Sequence, residues 1–191
     1  MNSLLLATAL ACLGHVVLAQ TSPAASIKAS WTRVVTPTVT AKERAVIDDA
    51  AQTIKFVAPS RALASVGLKS NAEYIEYNTE MFAVKLFDRP VKTCFIFNGT
   101  NVLDTFSATS ADLQARVQVN PVMEKQFMTL TTPMDAASQA TLITANPFIA
   151  TECAADTYID TTELSAGSTA PANSEVVTFP TLWGKLTLYI L

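Results

Sequence analysis

The sequence is short of the residues that most enzyme chemistry needs. It has one histidine, three cysteines and five glycines in 191 residues, and only 15% of the chain is charged. The histidine, His15, and one cysteine, Cys12, fall inside residues 1–19, an uncharged apolar stretch ending Val17-Leu18-Ala19. An apolar run that closes on small residues reads as a secretory signal cleaved after Ala19. It is shorter than the ~20 residues that cross a bilayer. No later segment approaches that length, so no membrane span is expected. The mature chain, residues 20–191, then has no histidine and two cysteines, Cys94 and Cys153.

These absences exclude whole classes of function. Without histidine there is no Ser-His-Asp or Cys-His relay, no usual catalytic zinc site and no His-ligated haem. Two cysteines in a secreted chain most simply form one disulfide, which leaves no thiolate as nucleophile or soft metal ligand. Five glycines do not supply a phosphate-cradling loop. A net charge of −3 gives no basic footprint for nucleic acid. No catalytic residue, metal or cofactor is expected, and the chain is read as non-enzymatic.

What is present is apolar: half of the residues are hydrophobic, enough for one compact domain with a real core. Thr40-Ala41-Lys42-Glu43 fits a capping box, and Val46, Ile47, Ala50, Ala51 and Ile54 follow at helical spacing. A short amphipathic helix is expected over 41–52. Ile27 to Val39 reads as extended. From Thr53 the period changes to two. Strands are expected at 82–87, 91–97, 113–119, 125–131, 140–145, 148–152, 157–160, 175–179 and 182–190, punctuated by Arg89-Pro90, Asn98-Gly99, Asn120-Pro121, Thr132-Pro133 and Asn146-Pro147. The fold class is therefore mainly β: a single-domain antiparallel β-barrel or β-sandwich of about 8–10 short strands with one short N-terminal helix. Strands 82–87 and 182–190 are apolar on both faces, so a helix, another layer or a neighbouring subunit must cover them.

Four groups of residues are candidate sites. Glu152, Asp156, Asp160 and Glu163 could gather oxygens for a hard cation or hold a general acid; as plain surface they are a solvated acidic face. From Val117 onward the charge is −5, and the earlier mature part is +2. Phe82, Phe87, Phe95, Phe97, Phe106, Phe127 and Phe148, with Met81, Met123, Met128 and Met134, suit either a filled core or an apolar ligand cavity. Phe95, Phe97, Phe127 and Met128 are the residues expected to line such a cavity. Glu73, Glu76 and Glu80, beside Tyr74 and Tyr77, could supply a carboxylate pair for glycan cleavage. Asn98-Gly99-Thr100 is a sequon, and Asn98 the expected glycosylation site.

Apart from the sequon, Trp31 completes the four groups, with Arg33 two residues on. Its position near the start of a secreted β-rich chain is similar to the Trp at the base of lipocalin barrels. Ala29 stands where that family has glycine, and none of the family's other motifs is matched, so no family is assigned.

The leading expectation is a secreted, extracellular glycoprotein that binds or carries a small apolar ligand. A fatty acid, retinoid or carotenoid, held in a barrel cavity or at a subunit interface, is the kind of lipid or pigment meant. Two alternatives are a structural or storage subunit of an extracellular homo- or hetero-oligomer, and a carboxylate-dependent glycan-active enzyme.

Overall fold

The computed structural model describes residues 26–191 except Ser60, 101–102, 116–122 and Ala166. The expected signal segment, 1–19, lies outside the described residues. Within them the chain is mainly β, in two sheets. The larger begins with four hairpin-connected pairs: β1 (Ile27–Thr36), β2 (Val39–Asp48), β3 (Thr53–Ala58), β4 (Asn71–Glu76) and β5 (Met81–Leu86). β6 (Thr93–Asn98) and β8 (Thr157–Asp160) complete it, in the order β1-β2-β3-β4-β5-β6-β8. The smaller sheet holds β7 (Met123–Thr129), β9 (Thr162–Glu163), β10 (Glu175–Thr181) and β11 (Gly184–Ile190), in the order β10-β11-β7-β9. Neither sheet closes into a barrel among the described residues. Nor is the pairing purely antiparallel: β6–β8 and β11–β7 are parallel. A parallel partner needs a crossover, and helices lie in the chain between β6 and β8.

Three α-helices and one 3-10 helix (Arg61–Val66) are found among the described residues, at other places than expected. The segment expected as helix, 41–52, contains most of β2. Ala41, Glu43, Ala45 and Ile47 point inward and are buried, while Thr40, Lys42 and Arg44 point out. The period of two was present, but a buried glutamate at one inward position disguised it. Three expected strands are helical in whole or part. α1 (Phe106–Gln114), capped by Thr105, takes in Leu113 and Gln114; residues 116–119 lie outside the described set. α2 (Ala136–Ala145) and α3 (Pro147–Glu152) replace 140–145 and 148–152. Asp135 caps α2, its carboxylate accepting from the backbone N–H of Ala137 and Ser138. Asn146-Pro147 is therefore a break between two helices, with proline where an unpaired amide costs nothing.

The layers follow from which faces are apolar. One core lies between the sheets: Phe56, Ile75, Phe82 and Phe97 from the larger meet Phe127, Phe179, Leu186 and Leu188 from the smaller. A second core covers the opposite face of β3–β6, where Tyr74, Ala83 and Ile96 pack against Leu142 and Ile149 of α2 and α3. The two-faced strand 82–87 is thus covered by sheet on one side and helix on the other. The disulfide Cys94–Cys153, as expected from the cysteine pair, ties β6 to the end of α3 across 59 positions of sequence.

Asn98-Gly99 does not turn a hairpin; the chain runs on toward α1. Gly99 is needed for a different reason. A Cβ there would sit 2.6 Å from the Leu103 side chain and 2.8 Å from the Glu80 carbonyl oxygen, an approach only glycine permits.

Candidate functional site

The four acids of 152–163 do not converge on one point. Glu152 on α3 pairs with Lys55 Nζ at 2.7 Å, Asp156 with Lys85 at 2.5 Å, and Glu163 on β9 with Lys125 at 2.5 Å. Asp160 is exposed at the end of β8. Each of the three paired carboxylates has its own ammonium. Asp156 also lies beside Cys94 Sγ, at 3.5 Å, but that sulfur is bonded to Cys153.

The phenylalanines divide among several environments. Phe97 stacks on Phe82 at 4.7 Å between ring centroids and meets Phe127 edge-on at 4.9 Å. Trp183 closes on Phe82 from the side at 6.2 Å. Phe95 is buried nearby, under the Arg89 guanidinium. Met128 follows Phe127 on β7 and so faces away from that core; it lines an outward groove with Leu130, Pro133 and Met134. Three of the four expected cavity residues thus share the inter-sheet core and the fourth does not. Phe148 packs edge-on against Tyr74 on the helical side, Phe106 against Tyr77 beside α1, and Phe87 is half exposed.

Glu73, Glu76 and Glu80 are also separated. Glu73 and Glu76 lie three residues apart on β4, so their side chains leave opposite faces of the sheet. Glu80 is in the following turn at a φ of 52°. Glu76 faces the helices, where its carboxylate accepts from the Ile149 backbone N–H; burial pushes its pKa up. It lines a groove of about 690 Å³ with Asp48, Lys55, Asn78, Phe148 and Glu152.

Glu73 faces the inter-sheet core and belongs to a polar cluster that the sequence reading missed. Arg33 Nε is 2.9 Å from the Glu43 carboxylate, and Trp31 Nε1 donates to Glu43 at 2.7 Å. The same guanidinium donates through Nη2 to the Thr181 carbonyl at 2.8 Å, tying β1 of one sheet to the last residue of β10 in the other. Glu73 accepts from the Leu182 backbone N–H at 3.2 Å and from Asn71 Nδ2 at 3.3 Å. Burial raises the Glu73 carboxyl to about 8; the Leu182 amide and Arg33 only partly offset this. Glu43 is raised as well, by burial, against the opposing pull of Arg33. The signal was there: Arg33, Glu43 and Glu73 all occupy inward positions of alternating strands, where an unpaired charge is not tolerated. The cluster joins the layers and is largely buried; Arg33 also borders an outward pocket with Val34, Leu68, Glu124 and Lys185. Trp31, half-buried and stacked on Phe56 at 6.0 Å, is part of the cluster.

Asn98 is exposed at the end of β6, and its Oδ1 accepts from the Thr100 N–H and hydroxyl. The sequon therefore stands on a surface turn.

No known protein family matches the chain, and no solved structure matches it. It is similar to "Uncharacterized protein 6" of Haliotis asinina, 37% identical over 169 residues, which cover 87% of this chain and 81% of that protein. The chain belongs to the same family as that protein.

Proposed function

We propose that this family member is a secreted, non-enzymatic structural subunit of an extracellular assembly, built as a disulfide-stapled two-sheet sandwich with a helical cover. The observation that carries the reading is how the exposed large apolar residues are distributed. Seven stand out, and five of them, Phe87, Val91, Leu130, Val176 and Leu191, come from segments that meet at one end. Arg89, between Phe87 and Val91, pairs with Glu175 beside Val176 at 2.7 Å. Leu191 exchanges backbone hydrogen bonds with Thr129 and Thr131 on either side of Leu130. Scattered surface apolars need no explanation, but a gathering at one end favours a partner. A second copy of the chain is the occupant proposed.

The packing of the interior supports this reading over carriage. Phe82, Phe97 and Phe127 occupy the space between the sheets with ring-on-ring contacts, so an apolar cargo there would have to part them. The opposite directions of Glu73 and Glu76 weigh in the same way against a glycosidase pair. Secretion is supported by the apolar leader and the disulfide, and glycosylation at Asn98 by the exposed sequon. Light scattering on the mature protein tests the proposal: an oligomer is expected at micromolar concentration, dissociated by Leu130→Glu with Val176→Glu. A strict monomer at millimolar concentration overturns it.

A further inference from the structure

The helical cover stops short of the first two strands. α2 and α3 pack on residues of β3–β6, and no residue of β1 or β2 belongs to that cluster. The outer face of the β1–β2 ribbon is consequently open, and its exposed side chains include Lys28, Ser30 and Thr32 on β1 and Thr40, Lys42 and Arg44 on β2. Ser30 stands opposite Arg44 and Thr32 opposite Lys42. Lys42 and Arg44 are two residues apart on one strand, ~7 Å. Lys28 is diagonal to Arg44, ~7–8 Å between Cα atoms.

Two further observations bear on these cations. Seven other Lys and Arg side chains make ion pairs within the chain, but Lys28, Lys42 and Arg44 make none among the described residues; Arg61 and Lys92 also make none, and these three are the ones gathered on one face. The acid nearest them on that face, Asp48, is diagonal to Lys28 on the side away from Arg44, with one carboxylate oxygen accepting from the Ala51 N–H, and it lies four and six residues along β2 from Arg44 and Lys42. A chain of net charge −3 thus carries a row of three positive charges flanked by hydroxyls, with one acid, Asp48, at the Lys28 end and none beside Lys42 and Arg44 on that face of the ribbon.

We infer that this face binds an extended anionic polysaccharide, one bearing sulfate or carboxylate groups. Regularly spaced cations suit charges repeated along a polymer, and Arg44 can take a sulfate or carboxylate through two parallel N–H bonds. The hydroxyls of Ser30, Thr32 and Thr40 match the hydroxyls of sugar rings. A lipid surface is disfavoured because the face offers only Val34 as an exposed large apolar residue, too little to insert. The inference stands apart from the subunit proposal, since it uses the opposite kind of surface.

The test is retention of the mature protein on immobilised heparin and on alginate. The variant Lys28→Ser/Lys42→Ser/Arg44→Ser is compared with a control, Lys69→Ser/Lys185→Ser, in which the lost cations are ones with partners in the chain. All five positions are exposed or half exposed, so folding is checked by an unchanged melting curve. Expected are retention at low salt that falls steeply as salt rises, a loss of affinity of roughly tenfold or more in the triple variant, and little change in the control. Three results overturn the inference: no retention of the wild-type protein at about 50 mM salt, equal losses in both variants, or binding only to phosphatidylserine vesicles. Salt-sensitive self-association that the triple variant abolishes, without retention on either polysaccharide, also overturns it and assigns the face to a second copy.

Discussion

Arg33 and Glu43 form an ion pair on neighbouring strands of the larger sheet, with Nε 2.9 Å from the carboxylate and the side chains only 7% and 0% exposed, and the same guanidinium reaches the Thr181 carbonyl of the smaller sheet. Both charges are buried, Arg33 touching solvent only at the edge of a pocket, so the pair is a joint rather than a surface ornament. Removing one member strands the other. Glu43→Gln or Arg33→Met alone is expected to cost ~3–5 kcal/mol, read as a shift in the urea midpoint at constant m-value. Arg33→Met with Glu43→Leu should recover part of the loss, leaving the cost of the unpartnered Trp31 Nε1 and Thr181 carbonyl.

Stability should fall as pH rises. The folded carboxyl of Glu73 titrates at about 8 against an ordinary 4.5, so between those values the folded state binds more protons than the unfolded. The slope of stability with pH is then negative across that window and vanishes above it. For Glu73 alone the full loss is at most on the order of 5 kcal/mol; Glu43 and Glu76, also raised, push in the same direction. Urea titrations from pH 5 to pH 9 measure it. Glu73→Gln should flatten the profile and gain stability at pH 9. A profile that rises between pH 5 and pH 8 contradicts the assignment.

The sequence made some strands legible; it left β3 and β4 unmarked as strands, put strands where α2 and α3 lie, and hid the buried charges. β5, β8 and β10 fall where alternation and breakers put them, because those strands bury ordinary apolar side chains. β2 was mistaken for a helix because Glu43 occupies an inward position, and a charge there is explained only by Arg33 on the neighbouring strand. α2 was mistaken for a strand because its apolar residues, Leu142 and Ile143, sit side by side; the Asp135 cap and the run of alanines were the better signal. The disulfide was legible from counting. The separation of Glu73 from Glu76 was implicit in their spacing, once the segment is known to be a strand.

Reduction should loosen one layer first. Cys94–Cys153 closes a loop of about 60 residues that includes α1, β7, α2 and α3, and its loss is expected to cost roughly 4 kcal/mol on the loop-entropy argument. Cys94→Ala/Cys153→Ala should expose backbone amides of α2 and α3 to hydrogen exchange before those of β3–β5. Uniform protection across all of them would show that the disulfide does not hold the helices down.

Phe97 distinguishes a filled core from a ligand cavity. It is fully buried between Phe82 and Phe127, and Phe97→Ala is expected to destabilise the cargo-free protein by ~3–5 kcal/mol. A loss under about 1 kcal/mol would mean that the ring borders open space.

The central claim is that the chain acts by association rather than by carrying cargo. Native mass spectrometry of the protein from its natural source, before and after organic extraction, tests that claim most directly. The account predicts an oligomer whose subunit mass equals the mature chain with one disulfide and any glycan at Asn98, unchanged by extraction. A monomer that gives up one stoichiometric lipid or pigment on extraction would contradict it.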